Sequence, residues 1–143
     1  MPVSPVLVPE DALVRAVMVI RGRYDFAVDG GAISTIAITS GTPIPSGSTI
    51  VGGYVDVLTQ LTGATATIAC QVEAANYVLS AVAVASWTAG LKNVLPAPTS
   101  GALTASTAIR TTADRNISIV IATAALTAGK FDVVLFVVPP AST

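Results

Sequence analysis

Ionised side chains make up only 10% of this chain, while 52% of it is hydrophobic and 5% aromatic. An ordinary soluble domain is about 25% charged. The deficit constrains the fold because a small protein cannot hide most of its surface. A monomer of this mass exposes on the order of 6,800 Å², and too few charges are present to cover that area in the usual way. Thr, Ser and Ala must cover it, or other copies must. The composition is that of a subunit built to be buried in an assembly.

The length fits one domain with one core. A net charge of -1, with seven scattered Lys and Arg, gives no attraction to nucleic acid or an anionic membrane. No His is present, which removes the commonest general base and metal ligand. The single cysteine, Cys70, excludes an intrachain disulfide. The first twelve residues hold Pro2, Pro5 and Pro9 and then Glu10-Asp11, unlike a secretory signal. No apolar stretch approaches the ~18 to 20 residues of a spanning helix, and a membrane β-barrel would need more aromatic girdle residues than the chain has.

Val, Ile, Thr and Ala punctuated by Gly and Pro favour strands. An extended Pro-rich arm is expected over 1–12, a β domain over 13–138 and a short tail over 139–143. Leu13 to Val28 reads as a strand region that bends or bulges near Gly22, and Asp29-Gly30-Gly31 as a turn. Ile33 to Thr39 reads as a strand and Gly41 to Gly47 as a rigid connection. Thr49 to Leu61 reads as a strand with Val51, Val55 and Val57 on one face and a bulge or close backbone approach at Gly52-Gly53. In Ala64 to Glu73, residues Ala66, Ile68, Cys70 and Val72 point one way and Thr65, Thr67, Gln71 and Glu73 the other. Tyr77 to Ser86 suits a strand, with a helix as the alternative. Trp87 to Ser106 reads as a long connection and Thr107 to Thr112 as a short strand. Asn116 to Ala124 alternates with Ile117, Ile119 and Ile121 on one face. Leu126-Thr-Ala-Gly-Lys130 reads as a tight connection before a last strand, Phe131 to Val138, covered on both faces. About eight short strands without an amphipathic helix predict an all-β, single-domain sandwich of jelly-roll or related type.

Little in the chain suggests chemistry, and an enzyme is not expected. The eight acidic residues allow a glycosidase-like carboxylate pair only in the trivial sense that any such set does. They form no calcium loop pattern. Cys70 lies among apolar same-face neighbours and reads as a buried, inert thiol. No Ser precedes Lys92 or Lys130 at nucleophile spacing, and no glycine fingerprint for phosphate is present. No cofactor or metal is implied. Two clusters remain. Trp87 with Tyr77 would serve as a core or interface anchor, or as a platform for stacking a sugar. Arg15, Arg21 and Arg23 share strand parity if no bulge intervenes, and would face either solvent or the acids of a neighbouring subunit.

Three turn-and-strand motifs carry a family resemblance. They are Tyr24-Asp-Phe-Ala-Val-Asp-Gly-Gly31, Ile44-Pro-Ser-Gly-Ser-Thr-Ile-Val-Gly-Gly-Tyr-Val-Asp-Val57, and Ala125-Leu-Thr-Ala-Gly-Lys-Phe-Asp-Val-Val-Leu-Phe136 after Ile117 to Ala124. Together they resemble the small β-rich virion proteins of tailed bacteriophages, described as head decoration or minor structural proteins. The likeness spans most of 22–138 and brings no catalytic residue. It implies a homo-oligomeric virion component made in the host cytoplasm and placed on the capsid exterior. The implied role is decoration, stabilising the head by bridging major capsid protein subunits, with a trimer around a local threefold axis as one arrangement. A tail or head-to-tail subunit and a carbohydrate-binding module are the alternatives.

Overall fold

The structure is a computed structural model and describes residues 17–73, 78–92 and 109–140. Two antiparallel sheets face each other as a β-sandwich, the all-β architecture the composition predicts. The first sheet runs β1 (Met18–Asp25), β9 (Leu126–Val138), β3 (Thr49–Gly63) and β6 (Gly90–Lys92), with β7 (Ile109–Arg110) also pairing β3. The second runs β2 (Ser34–Ile38), β8 (Ile117–Ala122), β4 (Thr67–Gln71) and β5 (Leu79–Ala83). β1, β3 and β8 alternate buried and more exposed residues, so each buries one face by the two-residue period, whereas β9 is buried on both faces from Phe131 to Leu135.

The core lies between the sheets. Ile20, Tyr24, Val55, Val57, Phe131, Val133 and Leu135 meet Ile38, Ile68, Cys70, Ile117, Ile119 and Ile121. Tyr24 and Trp87 flank Phe131 with ring centroids 5.3 and 4.7 Å away, a spacing at which tilted aromatic pairs attract. Ala66, Ile68, Cys70 and Val72 are all buried, as their alternation predicts.

The three motifs are anchors of this sandwich. After β1 the chain makes one helical turn, α1 (Phe26–Asp29), instead of continuing as strand. Asp25 Oδ1 accepts from the Ala27 amide at 3.0 Å, and Asp29 Oδ2 accepts from the Asp25 amide at 2.8 Å. This reciprocal capping explains why the apolar Phe26-Ala-Val does not extend the strand. Gly31 then passes so close to Leu126 that a Cβ would enter its carbonyl, and the Leu126 amide donates to the Gly31 carbonyl at 2.8 Å. The first and third motifs therefore meet in space. The Ile44-Pro-Ser-Gly turn is latched by Thr111, whose hydroxyl donates to the Pro45 carbonyl at 2.7 Å and accepts from the Ser48 amide at 3.0 Å.

Four expectations need correction. β1 keeps an unbroken register across Gly22, so no bulge occurs there. Glycine is needed because a Cβ would lie 3.1 Å from Ile38 Cγ2 and 3.2 Å from Ile117 Cδ1 of the opposite sheet. Val51 does not share a face with Val55 and Val57: the expected bulge at Ile50/Gly52 inserts a residue and leaves Val51 56% exposed. Leu126 to Lys130 is not a connection but the start of β9, with Gly129 at φ 135 where the strand crosses Leu61. The turn lies earlier, at Thr123 with φ 71. Within the expected long connection, Gly90–Lys92 pairs with β3 as β6, and 93–106 lies outside the described residues, as do the arm over 1–12 and the tail residues 141–143.

Candidate functional site

The outer face of the five-stranded sheet gathers the surface residues with the most to offer a partner. Antiparallel register sets three cross-strand rows there, because directly paired residues point to the same face. Val19 lies level with Phe136 and Gly52, Arg21 with Val134 and Tyr54, and Arg23 with Asp132 and Asp56. Leu91 of β6 extends the last row beyond Asp56. Because β1 has no bulge, Arg21 and Arg23 do share this face. Arg15 and Tyr77 lie outside the described residues.

The face is apolar with a charged seam. Val19 is 57% and Leu91 72% exposed, beside the exposed Val51. Tyr54 and Phe136 pack against each other at 6.1 Å between centroids, half-buried. Val134 sits between Arg21 and Tyr54 and is fully covered although it is on the outer side. In the seam, Arg23 donates from Nε and Nη2 to the two oxygens of Asp132 at 2.6 and 2.9 Å. Those charge-assisted bonds hold the Asp132 carboxyl below the usual carboxylate range against the opposing effect of its burial. Arg21 comes no nearer than 4.0 Å to the same carboxylate and is 61% exposed, so its donors remain available. Beside it, on the side of β1 away from β9, a concavity of about 430 Å³ is lined by Val19, Arg21, Arg23, Ser40, Thr42 and Asp132.

Trp87 is placed elsewhere. It is 3% exposed in the core against Phe131, so it offers no stacking surface for a sugar and no interface anchor on this face. Cys70 is fully buried, and burial pushes its thiol up to about 12. A second ionic cluster joins the end of β4 to the segment before β8. Arg115 donates from Nε and Nη2 to the two oxygens of Glu73, each at 2.9 Å, and the Thr112 hydroxyl donates to Glu73 Oε1. These bonds bring the Glu73 carboxyl down to about 2. Both clusters are satisfied internally and neither positions a nucleophile against a base. Among the described residues no group of three or more His, Cys, Asp or Glu could hold a metal ion.

Sequence reasoning singled out the arginines and missed Tyr54, Asp56, Asp132 and Phe136. The available signal was Asp56 and Asp132 themselves, carboxylates inside otherwise apolar strands.

No family model and no curated protein matches the chain. Solved structures do match. A chain of the cyanophage Pam1 capsid asymmetric unit is 22% identical with a TM-score of 0.58, covering 87% of this chain and 85% of that one. A chain of the acid-stable capsid of Helicobacter pylori bacteriophage KHP30 is 12% identical with a TM-score of 0.57, covering 88% of this chain and 90% of that one. The β-sandwich described here is thus a fold it shares, over nearly its whole length, with chains of two bacteriophage capsids.

Proposed function

We propose that this chain is a structural subunit of a bacteriophage virion, a decoration protein that stabilises the head from outside by bridging subunits of the major capsid protein. The observation that carries the reading is the fold shared over 87% and 88% of the chain with chains of two phage capsids. Both neighbours come from capsids, which favours the head over the tail. The apolar outer sheet face, flanked by available cationic donors, supports a subunit built for contact with other chains, because a contiguous exposed apolar patch marks an interaction surface. No catalysis is needed. A protein that binds the assembled shell, and not its separate subunits, stabilises the shell by mass action. A standard interface covers about 800 Å² per partner, enough to hide much of a surface that charges do not protect.

The test adds purified protein to heads that lack it and separates them by sedimentation. Saturable co-sedimentation together with greater heat resistance of the heads is expected. Protein that stays in the supernatant, or that binds without changing heat resistance, overturns the proposal. A copy number matching a single ring instead of the whole shell assigns the chain to the tail or the head-to-tail connection.

A further inference from the structure

Among the described residues, the five-stranded sheet leaves opposite charges without a close partner on the two flanks of one face. Lys130 and Asp25 on this face pair with each other at 3.1 Å, and Arg23 pairs with Asp132. Arg21 on β1 keeps its donors, since both Asp132 oxygens already accept from Arg23. Asp56 on β3 forms no ion pair among the described residues. Apolar residues flank both positions, Val19 along β1 and Val51 along β3.

We infer that a second copy of this chain docks on this face, with the outer row of β1 in one copy lying over the outer row of β3 in the other. The register supplies the complementarity. Val19, Arg21 and Arg23 lie level with Gly52, Tyr54 and Asp56, separated by β9 alone. A two-fold axis along β9 carries each row onto the other. Val19 then meets the partner's Val51 beside the open space over Gly52. Arg21 lies on the partner's Tyr54 ring, with the partner's Asp56 two residues farther along the same strand, about 7 Å away and within reach of a long side chain. Arg23 faces the partner's Asp56 in the same row. These matches are apolar on apolar, cation on aromatic face and cation on carboxylate. They occur twice, as a self-complementary contact requires.

The area is adequate. Strands spaced about 4.8 Å apart and rising about 3.4 Å per residue give the three overlapping strands, β1, β9 and β3, ~400 Å² in projection. Protruding side chains raise their accessible area toward the ~800 Å² per partner of a standard interface. The contact closes at two copies, in place of the trimer suggested by the resemblance, and it holds whether or not the chain binds a shell.

The test is the molar mass of the full chain by light scattering across a dilution series. The wild type is expected at two chains. R21E and D56R should each weaken association about tenfold or more, since R21E sets a carboxylate within reach of the partner's Asp56 and D56R sets a second cation opposite the partner's Arg23. Tyr54→Ala reads the same face without changing charge and should also weaken association. Trp87 emission verifies that each variant is folded. A mass of one or three chains for the wild type overturns the inference. So do folded single variants that associate as the wild type does. If R21E does not fold, D56R and Tyr54→Ala decide the matter by themselves: unchanged association in both overturns it.

Discussion

Arg23 and Asp132 are directly opposed residues of β1 and β9, joined at two points by 2.6 and 2.9 Å bonds on the outer side of the sheet. The aspartate is nearly enclosed, its side chain 5% exposed, whereas the arginine is half in solvent. The pair lets a carboxylate occupy the central strand of a sheet that is otherwise apolar. A buried carboxylate without a partner is far costlier than a solvated arginine without one.

Arg23→Ala is therefore expected to destabilise the fold clearly more than Arg21→Ala, although both remove one exposed cation from the same strand. Urea denaturation followed by Trp87 emission measures both midpoints. Equal midpoints would mean that Asp132 does not depend on Arg23.

Stability should fall on acidification. Asp132 is held below its ordinary range by Arg23, and Glu73 is brought down to about 2 by Arg115 and Thr112. Depressed folded values mean that the unfolded chain takes up protons first. Their stabilising contribution is fully present above the unfolded carboxylate range near ~4 and is lost as pH falls toward about 2. Thermal melts across that window should show a declining transition temperature. Glu73→Gln should flatten the decline, and an unchanged slope in that variant would assign the effect to other groups.

Gly31→Ala is expected to cost ~1–3 kcal/mol or more, because the added methyl would press into the Leu126 backbone, which cannot swing away. Gly22→Ala should cost less, since the nearest atoms at 3.1 and 3.2 Å are ends of isoleucine side chains. Chemical denaturation of the two variants gives the ranking, and the reverse order would contradict the close passage of Gly31 and Leu126.

Trp87 is the single tryptophan and reports the core. Its emission should be blue-shifted in the native state and move to the red on unfolding. Added oligosaccharides should leave it unchanged. Trp87→Ala should lose ~3–5 kcal/mol as a large buried side chain is removed. Quenching by a sugar would revive the carbohydrate-binding alternative.

Local alternation was legible wherever a strand buries one face without interruption. Ala66 to Val72 and Ile117 to Ile121 point as their spacing requires, and Arg21 and Arg23 share a face for the same reason. Glycines were harder to read, because one residue type serves three geometries. At Gly52 it accompanies the expected bulge, which reverses Val51. At Gly129 it lets β9 pass Leu61 where the pairing with β3 is irregular, in place of the expected turn. At Gly22 it only makes room for the facing sheet. The true turn at Thr123 has no glycine to mark it, and the helical turn after Asp25 depends on carboxylate caps four residues apart.

From its residues alone the chain was committed to strands, to a buried inert cysteine and to a surface poor in charge, since these depend on composition and on contacts between near neighbours. Which residues share the outer face was a tertiary decision. Asp132 finds Arg23 across 109 residues, and Asp56 joins their row only because β9 lies between β1 and β3. A two-residue period assigns a side chain to a face, but its neighbours there are chosen by long-range pairing register, and no local pattern carries that choice.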